Sequence, residues 1–314
     1  MMEKIQFSHV SVLLPESIES LAVHPDGLYV DCTLGGGGHA LEIVKRLRGG
    51  KLVAIDRDGD ALKAAAERLS AYRDRIIYVH NNFSELDCIL DELHIEKVDG
   101  IFMDLGVSSY QLDQAERGFS YMQEARLDMR MDREATLQAY DVVNTYSEEE
   151  LRRILYEYGE EKFARNIAAN IVRQRAVKPI ETTVELAELI KASLPKTARE
   201  GGHHPAKRSF QAIRIEVNSE LSSVALAIDA ALRRLNVGGR LVVITFHSLE
   251  DRLVKQKFAA WASGCTCPRE FPVCVCGKKP EIRVIYKKPV TPDADELASN
   301  SRARSAKLRA AEKL

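Results

Sequence analysis

The amino-acid sequence predicts an α/β protein in which a parallel sheet carries an inserted all-helical domain. Up to residue 109, short apolar runs alternate with segments of helical spacing, which is the pattern of strand–helix–strand units. About a hundred residues of helix and loop follow, with little strand character. Because the alternation then returns, we expect the sheet to be built from both ends of the chain.

Four apolar runs in the first third are predicted to be strands, and two segments of helical spacing lie between them. The strands are residues 28–32, 51–55, 75–79 and 98–105, and the helices are residues 39–48 and 60–69. Asp60 stands where it can cap the second helix. Strands separated by helices predict parallel pairing with right-handed crossovers.

The rest of the chain divides into an insertion and a return to the sheet. Amphipathic helices of the insertion are predicted at residues 147–158, 161–175 and 183–194. After it come a helix at 218–235, a strand at 240–246, a helix at 249–261, a strand at 281–286, and a basic tail, 300–314, that is expected to be helical or disordered. We therefore expect one discontinuous domain, residues 1–109 and 207–314, and a helical domain of residues 110–206.

Composition excludes several classes of protein. The 314 residues include 45 Lys and Arg against 46 Asp and Glu, a formal net charge of -1, and 45% are hydrophobic. This is the composition of a globular protein, and it excludes a peptide hormone or a disulfide-rich mini-protein. No run approaches the roughly 20 apolar residues of a membrane span, and the first residues do not resemble a signal peptide. We expect a cytoplasmic protein with no membrane partner.

The near-zero net charge conceals an asymmetry along the chain. Residues 1–110 hold 11 basic and 18 acidic residues, a net of -7, and the remainder holds 34 basic and 28 acidic residues, a net of +6. A polyanion could bind the basic part, although scattered surface charge produces differences of this size as well.

Four glycines between the first strand and the first helix, Gly35 to Gly38, predict a ligand site. Without a Cβ, the backbone can pass close to a ligand at the carboxyl edge of the sheet, where open α/β folds bind ligands; the alternative is a merely tight turn. Gly35, Gly37 and Ala40 satisfy the loose dinucleotide fingerprint. Asp56, at the end of the second strand, can accept hydrogen bonds from both ribose hydroxyls. NAD and S-adenosylmethionine both fit these features.

The end of the fourth strand favours S-adenosylmethionine over NAD. Asp104, Ser108 and Ser109 place a carboxylate and two hydroxyls at the same edge, with flexible backbone between them. The second mononucleotide half that a dinucleotide enzyme needs is displaced by the helical insertion. An NAD-dependent oxidoreductase remains the alternative class of enzyme.

Eight segments, in order and from near one end of the chain to the other, resemble one enzyme family. They are DCTLGGGGHA (31–40), AIDRD (54–58), DLGVSSYQLD (104–113), ERGFSY (116–121), LDMRMD (127–132), FQAIRIEVNSEL (210–221), FHSLEDR (246–252) and NSRARSAKLR (300–309). The chain is similar to the bacterial 16S rRNA cytosine-N4 methyltransferases, which use S-adenosylmethionine. The resemblance implies a class I (Rossmann-like) methyltransferase sheet with a helical, substrate-recognising insertion. It also implies methylation of the exocyclic N4 of a cytosine in the decoding (P-site) region of 16S rRNA, as naked rRNA or in the small ribosomal subunit.

The resemblance also implies the cofactor contacts. They fall on Gly37, Gly38, His39, Asp56, Phe83, Asp104 and Gln111. The glycine amides and the helix start can bind the methionine carboxylate, and Asp56 the ribose. Phe83 can flank the adenine or fill the core, and His39 can contact the cofactor or simply begin the helix. Tyr110 and residues 124–126 depart from the family pattern, which bears on the stiffness of these loops.

Methyl transfer to cytosine N4 needs a group that takes up the amine proton, because the N4 lone pair is delocalised into the ring. The predicted catalytic residues are Asp104, Ser108 and Ser109, and neither a metal nor a covalent nucleophile is required. His247 follows a later strand at the same edge, and it is expected either to line the pocket of the target base or to form structural hydrogen bonds.

Basic residues on the insertion and in the tail are candidate phosphate contacts for rRNA, and solvated helix faces are an equal alternative. They are Arg165, Arg173, Arg175, Lys178, Lys207 and Arg208 on the insertion, and Arg302, Arg304, Lys307 and Arg309 in the tail. The sequence is compatible with a monomer and with a homodimer.

Four of the six cysteines form a cluster. Cys265, Cys267, Cys274 and Cys276 follow the pattern C-x-C-x6-C-x-C, whereas Cys32 and Cys88 stand alone. Four thiols in a cytoplasmic chain suit a tetrahedral structural zinc, although C-x-C is a less usual spacing than C-x2-C. The cluster also leaves open a non-catalytic class, a zinc-bearing RNA-binding assembly protein.

Overall fold

The structure, a computed structural model, describes residues 11–199, 204–265, 267–268, 270–273 and 275–314. The chain divides into two compact units. The first unit runs to Gly106 and resumes at Leu221, and the second unit comprises Val107–Glu220.

Strands and helices alternate in the first part of the chain. Their order is α1 (Leu14–Leu21), β1 (Leu28–Asp31), α2 (Gly38–Arg46), β2 (Lys51–Asp56), α3 (Gly59–Arg68), β3 (Ile76–His80), α4 (Leu86–Glu92) and β4 (Val98–Asp104). Helices then follow one another: α5 (Ser109–Asp113), α6 (Ala139–Thr145), α7 (Glu148–Glu157), α8 (Ala164–Arg175), α9 (Thr183–Ala192), α10 (Lys196–Arg199) and α11 (Lys207–Asn218). The chain continues with α12 (Glu220–Arg234), β5 (Leu235–Thr245), α13 (Ser248–Ala262), β6 (Ile282–Val284), α14 (Ala294–Ser299) and β7 (Lys307–Lys313).

The strands described form one seven-stranded sheet with the order β3-β2-β1-β4-β5-β7-β6. The pairs among β1 to β5 are parallel, whereas β7 is antiparallel to both β5 and β6. Apolar side chains cover both faces, as parallel strands require: Val30, Ile101 and Val243 belong to one core cluster, and Tyr29 and Phe102 to the other. The predicted α/β fold, with a largely parallel sheet, is confirmed.

Three adjacent strands, β2, β1 and β4, end in an aspartate at the same edge of the sheet. Asp31 of β1 is in register with Ala54 on one side and with Phe102 on the other. Asp56 and Asp104 each lie two residues beyond that level, at the ends of β2 and β4. Parallel strands present their carboxyl ends at one edge, so the topology brings these carboxyl groups to a common site.

The second unit packs around an apolar core of its own. Ile154 of α7, Ile167 of α8 and Leu186 of α9 are buried in that core. Both α7 and α9 begin with a capping box, formed by Ser147 and Thr182 as the capping residues. Local capping and the buried apolar faces therefore explain why this part of the sequence is helical.

No helix among the described residues combines the length and the apolarity that crossing a bilayer would take.

The boundary after the helical unit lies later in the chain than the predicted start of the returning domain at residue 207. Helix α11 belongs to the helical unit. Its side chains Phe210, Ile213 and Val217 are buried in that unit's core, so the apolar face of α11 decides its membership. The sheet resumes only after Glu220.

The prediction for the tail is wrong, because residues 307–313 form strand β7 rather than a helix or a disordered segment. Leu308 is fully buried and is in register with Ile244 of β5. The Lys307 Nζ and the Arg309 Nε lie 3.1 Å and 2.7 Å from the carboxylate oxygens of Asp251. Pairing with β5 thus holds the tail, and two of the candidate phosphate contacts form internal ion pairs.

We expect Leu308→Ala to lower the free energy of unfolding by about 2–5 kcal/mol, because it leaves a cavity beside β5. Leu314→Ala is the matched control. Since Leu314 is 49% exposed, its truncation should change the free energy by less than about 0.5 kcal/mol. Urea unfolding followed by circular dichroism measures both values. Equal stabilities of the two variants would contradict the placement of β7 inside the sheet.

Candidate active site

The glycine loop is shaped by the packing of the protein itself. Gly37 caps the start of α2 with a left-handed φ of 72°, and a Cβ there would lie 3.2 Å from Leu69 Cδ1. At Gly38, a Cβ would lie 1.8 Å from Ser11 Oγ. A side chain at either position would therefore disturb the fold. The loop leaves the backbone amides at the start of α2 together with the positive end of the helix dipole, and this combination suits an anion.

Asp56 holds this loop through backbone amides. Its Oδ2 accepts a 2.7 Å hydrogen bond from the Gly35 amide, and its Oδ1 accepts a 2.9 Å bond from the Asp58 amide. Burial raises the pKa of Asp56, and these two hydrogen bonds oppose that effect. A carboxylate oxygen has more than one lone pair, so Asp56 can still accept from ribose hydroxyls.

Asp31 and Asp104 are linked through Thr33. The Thr33 amide donates to Asp31 Oδ1 at 3.0 Å, and the Asp104 amide donates to Thr33 Oγ1 at 2.6 Å. Among the described residues, neither Asp31 Oδ2 nor Asp104 Oδ1 has a hydrogen-bond partner. Asp31 is 1% exposed, whereas the Asp104 side chain is 22% exposed. A ligand can therefore reach Asp104, and Asp31 lies behind it.

Burial and mutual repulsion favour the protonated forms of these two acids. Burial raises the pKa of Asp104 well above its usual range, and the charges of Asp31 and Glu250 raise it further. Burial likewise raises the pKa of Asp31 to about 7, against the lowering effect of the Thr33 amide. When ionised, Asp104 is accordingly a stronger base than an ordinary aspartate.

His39 is buried beside Asp104. Its Nε2 lies 3.1 Å from the Val12 carbonyl oxygen, its ring centroid is 4.4 Å from that of Phe102, and its Nδ1 lies 3.7 Å from Asp104 Oδ2. A proton on Nε2 can be donated to the Val12 carbonyl, which leaves Nδ1 facing the carboxyl group. His39 therefore does more than begin the helix, since it orients the environment of Asp104.

Phe83 is 7% exposed and belongs to the core cluster with Leu86 and Ile89. The guanidinium of Arg57 lies 5.9 Å from the centroid of the Phe83 ring. These contacts support the interpretation of Phe83 as a core residue, and a contact with adenine stays a prediction.

Ser108 and Gln111 lie in the second unit, where they form the capping box of α5. Ser108 Oγ accepts from the Gln111 amide at 3.2 Å, and Gln111 Oε1 accepts from the Ser108 amide at 3.1 Å. Both side chains therefore have a structural task at the start of this helix. The side chain of Ser109 lies outside the described residues.

His247 caps helix α13, which supports its structural interpretation. Its Nδ1 accepts from the Glu250 amide at 3.4 Å, and its Nε2 lies 3.1 Å from Glu250 Oε1. The Phe246 amide donates to Glu250 Oε2 at 2.9 Å. These contacts fix the turn between β5 and α13.

Three cysteines of the predicted cluster come together. The Sγ atoms of Cys265, Cys267 and Cys276 all lie within 4.8 Å of one another, and those of Cys265 and Cys276 are 3.8 Å apart. Cys274 lies outside the described residues. The described cysteines form no disulfide, so the three sulfurs can act as metal ligands.

Sequence reasoning missed Asp31 and Thr33 as residues of this site. The signal was present, because Asp31 ends a strand directly before the glycine loop, in the same way that Asp56 and Asp104 end their strands. Thr33 could be found only from the structure, since its role depends on the Asp104 amide, which is 71 residues away in the sequence.

Comparison with known proteins assigns the chain to a family. The model of the MraW methylase family matches residues 6–314. The chain belongs to the MraW methylase family. This membership confirms the resemblance carried by the eight sequence segments. The matches give no support to an NAD-dependent oxidoreductase or to a non-catalytic assembly protein.

Individual relatives of the MraW methylase chain agree with the family assignment. A ribosomal RNA small subunit methyltransferase H from Clostridium botulinum (strain Kyoto / Type A2) is 61% identical over 312 residues, 99% of this chain and 100% of that relative. A protein of the same name from Lachnospira eligens is 55% identical over 311 residues, 99% of each chain. Among solved structures, an rRNA methylase from Streptococcus thermophilus has a TM-score of 0.44 at 13% identity, covering 98% of this chain and 99% of its own.

We expect Asp31→Asn to stabilise the protein at pH 8 but not at pH 4. The folded chain holds the Asp31 proton up to about pH 7, whereas the unfolded chain loses it near pH 4, so native stability falls as the pH rises between these values. Removing the ionisation should raise the free energy of unfolding at pH 8 by about 1–4 kcal/mol. Urea unfolding at both pH values measures the difference.

Asp74→Asn is the matched control, because the Asp74 side chain is 94% exposed. In this variant, the difference between the free energies of unfolding at pH 4 and pH 8 should equal that of the native chain. An Asp31→Asn variant whose stability followed that of the native chain at both pH values would show that Asp31 is not held protonated.

Proposed function

We propose that this chain transfers a methyl group from S-adenosylmethionine to the exocyclic N4 of a cytosine in the decoding (P-site) region of 16S rRNA. The main support is the position of Asp104 beside the glycine loop of a MraW methylase chain. A ligand can reach this carboxyl group, and its pKa is raised. The names of the relatives, ribosomal RNA small subunit methyltransferase H, support the substrate class.

The residues present fit the proposed cofactor. Asp104, whose side chain is 22% exposed and whose Oδ1 has no hydrogen-bond partner among the described residues, offers an acceptor suited to an ammonium or amine. The amides of Gly38 and His39, at the start of α2, would hold the methionine carboxylate, and Asp56 would hold the ribose. Gly37, Phe83 and Gln111 complete the proposed set. When bound, S-adenosylmethionine supplies the activated methyl group at its sulfonium.

Asp104 would act on the acceptor amine. In its ionised form, Asp104 would accept a hydrogen bond from N4 that favours rehybridisation of the nitrogen, and its raised pKa suits it to take up the proton that N4 loses. His39 and Asp31 would position and tune Asp104. Ser108 and Ser109 stay predicted contributors from the second unit.

The helical unit would recognise the substrate, but its basic residues differ in availability. Arg175 donates to the carbonyls of Val143 and Tyr146, and Lys178 pairs with Glu185 at 3.1 Å. Arg208 donates to the Glu160 carbonyl at 3.3 Å. Arg165, Arg173 and Lys207 are exposed and stay candidate phosphate contacts. The proposal places the enzyme in the cytoplasm, as a monomer or homodimer, acting on naked rRNA or on the small subunit.

The proposal predicts methyl incorporation into 16S rRNA from a strain that lacks this chain. With radiolabelled cofactor, the label should map to one cytosine of the decoding region, and digestion should release N4-methylated cytidine. Native rRNA from a strain with the enzyme should accept little label. Methylation at a different atom or in a different RNA would contradict the proposal.

In the same assay, Asp104→Asn should lower kcat about 100-fold or more, because it removes the proton acceptor. Calorimetry with S-adenosylmethionine separates a loss of cofactor binding from a loss of turnover. Asp74→Asn, at an exposed carboxylate, is the control and should keep native kcat. Full turnover by an Asp104→Asn variant that binds the cofactor normally would remove Asp104 from the chemical step.

We propose in addition that the cysteine cluster holds a structural zinc. Ligands about 2.3 Å from a tetrahedral zinc lie about 3.8 Å apart, which is the distance between the Cys265 and Cys276 sulfurs. The Cys267 amide donates to Cys265 Sγ at 3.4 Å, and the Val275 amide donates to Cys267 Sγ at 3.3 Å. Such bonds stabilise thiolates. Cys274 would be the fourth ligand, and the metal would fix the connection between α13 and β6.

Elemental analysis of the purified protein should give about one zinc per chain. Replacing both Cys265 and Cys276 with serine should abolish the zinc and lower Tm, because four-coordinate sites contribute to folding. Cys88→Ser, at an exposed cysteine outside the cluster, should keep the zinc. A native protein without zinc after growth in zinc-supplemented medium would contradict the assignment.

A further inference from the structure

The helical unit carries an open groove of about 480 Å³ between α7 and the start of α8. Its charged lining is Arg152, Arg153, Lys162 and Arg165, with Glu149 and Glu157, and Tyr156 supplies an aromatic ring. The basic groups outnumber the acidic ones by two. We infer that this groove binds one nucleotide of a single-stranded RNA segment, an inference that rests on the proposed rRNA substrate.

The ring of Tyr156 is placed to stack on a base. Arg152 and Tyr156 are four residues apart on α7 and so share one face of that helix. The opposite face is buried through Leu151, Ile154 and Leu155. Tyr156 is nevertheless 68% exposed, although it is large and aromatic. Stacking on exposed aromatic side chains is the usual way in which proteins hold unpaired bases.

Of the four cations in the groove, Arg152, Lys162 and Arg165 are available to phosphate. Arg153 is the exception, because its guanidinium lies 3.3 Å from the Glu157 carboxylate and 3.5 Å from that of Glu216. Within the described part of the chain, neither Arg152 nor Lys162 nor Arg165 forms an ion pair, and all three are exposed. Their charges are therefore not neutralised inside the protein, which favours a polyanion.

The start of α8 bounds the groove through Ala164 and Arg165. Its amides are already engaged, because the Phe163 amide donates to Glu161 Oε1 at 3.0 Å and the Ala164 amide donates to the Glu161 carbonyl at 3.3 Å. The cationic side chains, rather than the helix start, therefore supply the positive potential of the groove. A groove of this volume is in the range that encloses a small ligand, so one nucleotide fits it.

The test compares variants of the full chain in two assays. Fluorescence anisotropy measures binding of a labelled single-stranded oligoribonucleotide about ten nucleotides long, and methyl transfer measures kcat and KM for small subunits lacking the methyl group. Tyr156→Ala should weaken RNA binding and raise KM about 5- to 100-fold, whereas Tyr156→Phe should behave as the native chain because it keeps the ring. All these side chains are exposed, so the fold and the affinity for S-adenosylmethionine should be retained.

Charge reversal tests the phosphate contacts. The double variant Arg152→Glu/Arg165→Glu should raise KM at least about 10-fold with little change in kcat, and it should flatten the plot of log affinity against log salt by about 1.4 to 1.8, the effect of two phosphates. Lys191→Glu, on the same unit but outside the groove, is the control and should change both values little.

Native binding, KM and salt slope in the Tyr156→Ala and double variants would overturn the inference. If the variants bound RNA as the native chain does but bound another protein more weakly, the inference would also be overturned, and the groove would be assigned to a protein partner. RNA binding that depends on the groove in a chain that transfers no methyl group would refute the proposed function and leave the groove assignment standing.

Discussion

The structure depends on the burial of carboxyl groups at one edge of a parallel sheet. Asp56, Asp31 and Asp104 end three adjacent strands. Among the described residues none of them forms an ion pair with an arginine or lysine, although the rise that burial causes in the pKa of Asp56 is opposed by the charge of Arg57. Burying like charges is unfavourable unless donors or protons compensate. Backbone amides of the glycine loop supply donors for Asp56, and the Thr33 amide supplies one for Asp31. Burial raises the pKa of both Asp31 and Asp104, which eases their protonation.

This constraint connects the loop, the helix start and the proposed chemistry. The loop must turn so that the Gly35 amide points at Asp56, and α2 then begins at Gly38, after the capping residue Gly37, with its amides at the same edge. A ligand with cationic groups would relieve the repulsion among the acids, which S-adenosylmethionine, with an ammonium and a sulfonium, is able to do. The same arrangement that is costly for folding is therefore suited to binding this class of cofactor.

Much of the sheet could be predicted from sequence because parallel strands are buried on both faces. Each of β1 to β4 is an apolar run, and each prediction agrees with the structure to within one or two residues. Strand β7 could not be found in this way. Its sequence, KLRAAEK, has no β-branched residue, and its conformation depends on pairing with β5, more than 60 residues earlier in the chain.

The sequence predicts a set of site residues, whereas the contacts of those residues can be seen only in the structure. The four glycines of the loop predict a ligand site. The contact that forbids a side chain at Gly38, however, comes from Ser11, and no local sequence pattern connects these two residues. The capping box of α5 was within reach of sequence reasoning, because Ser108 followed three residues later by Gln111 is its signature. The geometry at Asp104 depends on Thr33 and His39, and both contacts are long-range.

The order of the strands has a consequence for synthesis on the ribosome. Strand β6 pairs only with β7 among the described strands, and β7 is made after it. During elongation, β5 therefore presents an open hydrogen-bonding edge while α13, the cysteine cluster and β6 are being made, and β6 has no neighbour to join. The last part of the sheet can therefore be completed only after β7 has been made. A nascent chain stalled before residue 307 would expose the edge of β5 that β7 covers in the folded protein.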